Sequence, residues 1–314
     1  MNLEQALSAT DDLMLETVRS DVAVLQEASR HIIGAGGKRF RPRLLFLAYQ
    51  AAGGTDLARC VPVAAAIEMV HTATLVHDDI NDHGKMRRGR VTINERWGRT
   101  FALLTGDFMF TKVYSLMAPY GDLNVTFAEA TVALVEGETL QAEAARNDTL
   151  SRQVYQQIVA KKTASLFRAA AMLGAQMAGA DRRVVDALGE YGFFLGLAFQ
   201  IVDDLLDLTG DPRLMGKPAQ VDLAQRKGVA TAVTRRENGS SKGEGSIAIA
   251  QLGAETDPFL ETKRRLIEGG AVEEGRAMAS VLAGQASAAL MHLPPSPAVD
   301  ELRALIGAVV ERDH

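Results

Sequence analysis

Apolar residues recur along most of the chain with the three- and four-residue spacing of α-helices. A first helix is predicted to start at Ser8 or Thr10 and to run to about Ile33, with an apolar stripe formed by Leu13, Val18, Val22, Leu25 and Ile32. Residues 34–37 break the pattern, and Pro42 opens the next helix. Further helices are predicted at about 62–82, 99–117, 122–145, from 149 or 151, from 182, 246–252, 258–268, 271–292 and 298–311. With no internal repeat and no long linker, the pattern predicts one domain over residues 1–314.

Composition agrees with a mostly helical protein that has a large core. The 314 residues are 47% hydrophobic, only 5% aromatic, and include 9 prolines. The net charge of −5 does not suggest a nucleic-acid partner. A phosphate-binding protein with this charge must concentrate its lysines and arginines locally. Cys60 is the single cysteine, which excludes an internal disulfide and thiolate zinc sites.

The chain shows no pattern for export or for a membrane span. The first dozen residues are acidic and contain no apolar core segment, so we expect no signal peptide. No stretch approaches the roughly 20 apolar residues of a transmembrane helix. These observations predict a soluble protein of the cytoplasm.

Candidate chemistry begins where the predicted helix at 62–82 ends. Spacings of three and four residues place Asp78, Asp79 and Asp82 on one helix face, close enough to share a ligand. Three like charges repel each other, and carboxylates of this kind suit Mg²⁺, which usually also binds substrate phosphates. Arg87 and Arg88 follow after a break and indicate the other half of a phosphate site. Taken alone, the cluster could equally be a solvated acidic helix end.

A second cluster with the same spacing favours the functional interpretation. Asp203, Asp204 and Asp207 end another strongly apolar helical run. If both helices belong to one bundle, the clusters can face each other and hold several metal ions against one diphosphate. Two such clusters are hard to explain as solvated helix ends.

A glycine-rich basic segment precedes both clusters. Its backbone amides, with Lys38 and Arg41, could cradle a diphosphate, although a basic helix-connecting turn is the alternative. The segment is not a Walker A loop, because Ile32 and Arg39 stand where that motif needs Gly and Ser or Thr. His71 lies about two helical turns before Asp78 and shares its face, yet a lone histidine there is more often a core residue.

The two clusters, Asp78-Asp79-Ile-Asn-Asp82 and Asp203-Asp204-Leu-Leu-Asp207, resemble the Asp-Asp-x-x-Asp motifs of the trans-isoprenyl diphosphate synthases (polyprenyl synthetases). The resemblance runs from about residue 36 to 217. It implies an all-α, single-domain bundle of ten or more helices around a deep central cavity. It also implies two to three Mg²⁺ ions, a homodimer, and condensation of isopentenyl diphosphate with an allylic prenyl diphosphate.

The same resemblance implies roles for individual residues. The six aspartates would hold the metal and, with Lys162, carry the catalysis. Isopentenyl diphosphate would be bound by Lys38, Arg41, His71 and Arg88. The allylic diphosphate would be bound by Arg87, Lys162, Thr163, Gln200, Lys217 and Lys227. The family pattern fails within residues 224–245, where Arg226 replaces a glycine and the polar, glycine-rich sequence of residues 238–245 predicts a loop. Glu138 and Gln141 resemble a segment of longer-chain members, and a solvated face is equally compatible.

Product length is expected to depend on the helix before the first cluster. Ala73 and Thr74 lie roughly 6–8 Å before Asp78 along the helix axis, near the end of a short prenyl tail. Because both are small, we expect a product longer than C20, about C30 to C50, with a floor set deeper by Phe110 or Tyr114. The alternatives are a short-chain (C15–C20) synthase, a non-catalytic subunit of a two-component synthase, and a metal-dependent hydrolase of a diphosphate.

Overall fold

The computed structural model describes residues 1–209 and 267–312, and helices form nearly all of their regular structure. Twelve α-helices occur in these ranges, which confirms the all-α bundle of ten or more helices. They are α1 (Leu3–Thr17), α2 (Ala23–Ile33), α3 (Phe40–Ala51), α4 (Val61–Asn81), α5 (Ile93–Trp97), α6 (Arg99–Met117), α7 (Leu123–Asn147), α8 (Arg152–Val159), α9 (Ser165–Met177), α10 (Arg182–Thr209), α11 (Ala271–Ala289) and α12 (Pro297–Val310).

Two core helices, α4 and α10, carry the two aspartate clusters at their C-terminal ends. Most residues of α4 are buried, and the helix packs against α1, α3 and α6. The 28-residue α10 packs against α9 and α11. Their apolar lengths fix both helices in the core, so the polar residues at their ends are placed by the packing of the whole bundle.

Two helices begin close to their predicted starts, each directly after a capping residue. Ser151 accepts a hydrogen bond from the Val154 amide at 3.2 Å, and Asp181 accepts one from the Val184 amide at 3.0 Å. Each cap satisfies an amide that has no partner within its own helix. The predicted helix starts at 151 and 182 are therefore confirmed.

The predicted first helix is wrong in its boundaries, because two helices occupy its range. Asn2, with Gln5, forms a capping box that starts α1 well before Ser8. A turn then separates α1 from α2, and the Val22 amide donates to the Ser20 hydroxyl at 3.1 Å. Val18 is fully buried, whereas Val22 is 53% exposed. The apolar stripe continued across the turn because both helices bury one face in the same core.

Two helical segments are long and apolar enough to cross a membrane, contrary to the expectation that none would be. They are Leu57–Asn81, of which 78% of the apolar window is buried, and Arg182–Thr209, of which 56% is buried. These segments contain α4 and α10, whose apolar residues pack against other helices of the bundle. Their hydropathy is that of core helices.

A short antiparallel hairpin follows α4, formed by β1 (Met86–Arg87) and β2 (Arg90–Val91). Arg88 and Gly89 make its turn with positive φ angles of 50° and 72°. The sequence pattern predicted a break here but no strands. The predicted helices at 246–252 and 258–268 fall outside the described residues, apart from the last two positions of the second.

Candidate active site

The first cluster lies at the C-terminal end of α4, where a helix dipole disfavours carboxylates. The cluster therefore depends on nearby cations. Asp79 is 4% exposed and pairs with Arg87, whose Nε lies 2.8 Å and 3.0 Å from the two carboxylate oxygens and whose Nη2 lies 2.8 Å from Oδ1. The hairpin thus directs Arg87 onto the cluster, and a substrate would meet this residue as part of a buried ion pair.

Lys162 supplies the second cation of the first cluster. Its Nζ lies 3.3 Å from Asp78 Oδ2, 2.9 Å from Glu138 Oε2 and 2.8 Å from Gln141 Oε1. Burial opposes ionisation of Asp78, yet the Lys162 ammonium and Arg87 hold the pKa of this carboxyl below its usual value. Burial and the Asp78 carboxylate raise the pKa of Glu138 to about 7. The Glu138–Gln141 segment therefore faces the site. It is not the solvated helix face that the sequence left as the alternative.

A single turn of π-helix, Ala160–Ala164, joins α8 to α9, contacts the first cluster and reaches the second through Gln200. We call it the π-turn. Whereas Lys162 reaches Asp78, the Thr163 hydroxyl donates to Gln200 Oε1 at 2.7 Å. Gln200 Nε2 in turn donates to Asp204 Oδ1 at 2.9 Å. Insertions of this kind into α-helices are frequent at functional sites, and here two consecutive residues tie the first cluster to the second.

Two residues that sequence reasoning missed contact the second cluster. The buried Tyr155 hydroxyl donates to Asp204 Oδ2 at 2.6 Å. Burial and the Asp204 carboxylate raise the pKa of Tyr155 well above its usual value, so this phenol remains a donor. Arg312, just beyond α12, lies 3.5 Å from Asp203 Oδ1, with its guanidinium 5.3 Å from the Phe199 ring centre. Neither residue belongs to a recognisable motif.

The basic segment before α3 is held in place by Arg39, which adopts a left-handed conformation with φ 49° and ψ 39°. Its Nε lies 2.6 Å from Asp11 Oδ1, and its Nη1 lies 3.0 Å from the buried Glu68 Oε1. A non-glycine residue in this conformation is uncommon, and the two ion pairs fix it. Lys38 and Arg41 flank Arg39, so the ion pairs fix the backbone on which these two predicted ligands stand.

Arg41 is a buried cation without a complete set of partners. It is 8% exposed, its guanidinium lies 4.8 Å from the Phe167 ring centre, and its Nε makes no hydrogen bond to any described residue. Burial lowers the pKa of Arg41 to about 10. A buried donor left without an acceptor is costly, which favours an anionic ligand at this position.

His71 lies close to these cations. Burial and then the positive charges of Arg41 and Arg88 lower the pKa of His71 well below its usual value, so the imidazole is neutral. Burial likewise lowers the pKa of Lys38, with a further contribution from Arg312. Cations that depress one another's charge in this way form a site suited to a multiply charged anion.

The predicted ligands lie in neighbouring parts of one site, and Arg87 interacts with both His71 and Arg88. Arg41, His71 and Arg88 interact with one another, and Glu68 lies near both arginines. Lys38 lies near Asp203 and Arg312. Arg87, Lys162, Thr163 and Gln200 lie along the two aspartate clusters. Lys217 and Lys227 lie outside the described residues.

The donor set fits a divalent cation in chemistry. Asp78, Asp79, Asp203 and Asp204 offer only oxygen ligands, at the ends of two helices that the π-turn connects. Within residues 1–209 and 267–312, no three carboxylate, thiol or imidazole side chains converge on one point. Mg²⁺ does not require such convergence, because it keeps several waters and takes one or two carboxylates together with substrate phosphates.

The residues expected to set product length lie on α4 and α6. Ala73 is fully buried, and the buried Thr74 hydroxyl donates to the His71 carbonyl at 2.8 Å. Phe110 stacks on His77 with ring centres 6.0 Å apart, beside Asp78, while Tyr114 is 76% exposed. The buried face of α6 carries methionines and a valine instead: Met109, Val113 and Met117.

Comparisons with known proteins agree with this geometry. A family model described as polyprenyl synthetase matches residues 22–255. Octaprenyl diphosphate synthase of Escherichia coli is 35% identical over 327 residues, covering 100% of both chains. Short chain isoprenyl diphosphate synthase of Methanothermobacter thermautotrophicus is 34% identical, covering 97% of this chain and 95% of its own. The crystal structure of polyprenyl synthase from Caulobacter crescentus, complexed with calcium and isoprenyl diphosphate, superposes with a TM-score of 0.90 at 33% identity, covering 99% and 96% of the two chains.

Two core helices of this all-α bundle end in aspartate clusters, and cations lie against both clusters. Together with the family model and the relatives, this arrangement defines the protein as a prenyltransferase. The family model covers most of the chain, and the relatives align over nearly all of it. The chain belongs to the polyprenyl synthetase family.

Proposed function

We propose that the protein condenses isopentenyl diphosphate with an allylic prenyl diphosphate to give a trans-polyprenyl diphosphate in the cytoplasm. The observation that carries this proposal is the π-turn, whose Lys162 contacts the first aspartate cluster and whose Thr163 reaches the second through Gln200. One diphosphate placed beside the π-turn would lie between six carboxylates that can share metal ions with it. The cationic group around Arg41 would accept the second diphosphate.

The residues would act by binding and by placing charge. Lys162, Thr163 and Gln200 would hold the allylic diphosphate, with Arg87 poised beside Asp79. Lys38, Arg41, Arg88 and the neutral His71 would hold isopentenyl diphosphate. The allylic C–O bond would then break with its electron pair on the diphosphate, and the double bond of isopentenyl diphosphate would attack the allylic cation. Loss of a proton restores the double bond, and exclusion of water protects the cation.

Mg²⁺ is the metal proposed for the two clusters, in two or three ions, held by Asp78, Asp79, Asp82, Asp203, Asp204 and Asp207. When bound, it neutralises the charge that develops on the leaving diphosphate. Support comes from the all-oxygen donor set and from the paired clusters.

The proposed product is longer than C20. Ala73 and Thr74 have small side chains, so they fill little space about one turn before Asp78. Phe110, which stacks beside His77, and the buried Met109 on α6 are the candidates for a floor that ends the growing chain. The relatives include both an octaprenyl and a short chain enzyme at similar identity, so product length has to be measured directly.

The deciding experiment incubates the purified protein with labelled isopentenyl diphosphate, an allylic primer and Mg²⁺, and determines product mass. An elongated prenyl diphosphate supports the proposal, and its mass gives the chain length. Release of phosphate from one substrate without elongation would instead indicate a hydrolase. If neither product forms, the outcome favours a subunit that needs a second protein.

We propose further that two copies of the chain pair through α7. Val125, Ala128, Val132 and Val135 repeat at three- and four-residue steps along α7, and the three valines are 52–60% exposed. This is the spacing of a helix-packing seam, and a second copy would bury it against itself. Val132→Glu should therefore lower the mass measured by light scattering from that of a dimer to that of a monomer.

A further inference from the structure

Two lysines of the π-turn pair with two glutamates of α7. Lys161 pairs with Glu136 towards the solvent, where both side chains are about half exposed at 41% and 54%. Lys162 pairs with Glu138 towards the active site, where each side chain is 23% exposed. The two pairs share the same helices and the same residue types, and they differ in the direction they face.

α7 can approach the π-turn this closely because residue 137 is glycine. A Cβ atom at Gly137 would lie 2.5 Å from the Lys162 amide nitrogen and 2.9 Å from its Cα. No side chain fits into this contact, so the backbones of α7 and the π-turn touch. Glu138 and Gln141, which follow on α7, thereby reach the Lys162 ammonium.

The ammonium of Lys162 has three donors, and three acceptors surround it. Two of them, Glu138 Oε2 at 2.9 Å and Gln141 Oε1 at 2.8 Å, come from α7. The third, Asp78, is the most distant at 3.3 Å. If Asp78 engages a metal ion, the α7 contacts keep Lys162 in position. The donor that pointed at Asp78 then becomes available to a phosphate oxygen.

We infer that Glu138, together with Gln141, is a positioning residue that holds Lys162 for the allylic diphosphate. The inference rests on the proposed function and deepens it. Glu138 Oε1 is buried and accepts no hydrogen bond from any described residue, so the carboxylate has one oxygen committed to Lys162 and one beside the site. A glutamate that only kept the helix surface in contact with water would be exposed, as Glu136 is.

The test compares Glu138→Ala, Glu138→Gln and the matched control Glu136→Ala in the full chain. Losing a charge-assisted hydrogen bond should raise the KM for the allylic diphosphate about tenfold or more in Glu138→Ala, with less than about a threefold change in the KM for isopentenyl diphosphate. Glu138→Gln retains an acceptor for Lys162 and should recover most of the loss. Glu136→Ala should leave both values unchanged.

A double-mutant cycle separates positioning from a general structural role. If Glu138 acts through Lys162, Glu138→Ala should add less than about a twofold effect in a chain that already carries Lys162→Ala. Equal rises in both KM values, or additive effects in the cycle, would overturn the inference. Should Glu138→Ala fail to fold, Gln141→Leu removes the other α7 acceptor and should raise the same KM.

Calorimetry with inorganic diphosphate and Mg²⁺ keeps this test independent of turnover. The affinity should fall about tenfold in Glu138→Ala and stay unchanged in Glu136→Ala. If the wild type does not elongate any primer, the proposed function fails, while the calorimetric comparison still decides the role of Glu138. Equal affinity in wild type and Glu138→Ala would refute that role.

Discussion

Replacing Tyr155 by phenylalanine should weaken the response of the enzyme to Mg²⁺. The Tyr155 hydroxyl donates to Asp204 Oδ2 at 2.6 Å, and Gln200 donates to Oδ1 at 2.9 Å. The two hydrogen bonds fix the orientation of this carboxylate. Tyr155→Phe removes the hydrogen bond to Oδ2 and keeps the aromatic ring and its packing. Partners behind a metal-binding carboxylate generally tune the ligand in this way.

The expected magnitude follows from the charge of the acceptor. A hydrogen bond to a charged group contributes about 1.5–3 kcal/mol, which corresponds to about a 10- to 150-fold change in an equilibrium constant. Loss of a residue that orients a metal ligand lowers metal affinity by about 10- to 100-fold. We therefore expect the Mg²⁺ concentration for half-maximal rate to rise by at least about tenfold in Tyr155→Phe.

The chain offers a matched control in Tyr191. Its hydroxyl is also buried and donates one hydrogen bond, to the Leu302 carbonyl at 2.7 Å. Tyr191 lies on α10 about three helical turns before Asp203. Tyr191→Phe should lower the free energy of unfolding by about 1 kcal/mol and leave the Mg²⁺ response unchanged. Initial rates are measured at saturating substrates over a range of Mg²⁺ concentrations. A Tyr155→Phe curve that superposes on that of the wild type would refute the role assigned to this tyrosine.

Four further outcomes are expected. Asp203→Ala should lower turnover by orders of magnitude with an unchanged circular dichroism spectrum, since each 1.36 kcal/mol of lost transition-state stabilisation is worth about tenfold; near-normal turnover would contradict the two-cluster site. Lys38→Gln should raise the KM for isopentenyl diphosphate more than that for the primer, and equal rises would mean that the loop is structural. Ala73→Phe should shorten the product to C15–C20 without abolishing condensation, whereas an unchanged product mass would exclude this position as the gate. Burial raises the pKa of Cys60 to about 12, so at pH 8 only about one thiol in ten thousand is ionised; iodoacetamide should label unfolded but not native protein, and rapid native labelling would show that this residue is accessible.

Much of the fold could be predicted because local signals and the core agree. The helix at 99–117 has the predicted bounds, since Gly98 adopts a φ of 87° that a helix does not continue through. The cluster-bearing ends of α4 and α10 were also predicted, because long apolar runs end there in aspartates. The division of the cations into two substrate groups followed from the family resemblance and stays a prediction.

The parts that could not be predicted depend on contacts between distant residues. Tyr155 lies 49 positions from Asp204, and Arg312 lies 109 positions from Asp203. On its own helix, Tyr155 has the pattern of an ordinary core aromatic. The π-turn could not be predicted from its local sequence either, because it depends on the close approach of Gly137 on α7 to Lys162. A helical period describes which face of a helix is buried, and it carries no information about which polar atom meets which.

The left-handed Arg39 has a consequence for any exchange of segments between members of the family. The family model begins at residue 22, so α1 lies outside the region that defines the family. Yet Asp11 on α1 binds Arg39 at 2.6 Å, between the two predicted substrate ligands Lys38 and Arg41. A chimera that took its first helix from a relative lacking an acid at this position would leave Arg39 with Glu68 as its remaining carboxylate among the described contacts. The identities at positions 11 and 39 are therefore expected to be inherited as a pair, although one of them stands outside the shared domain.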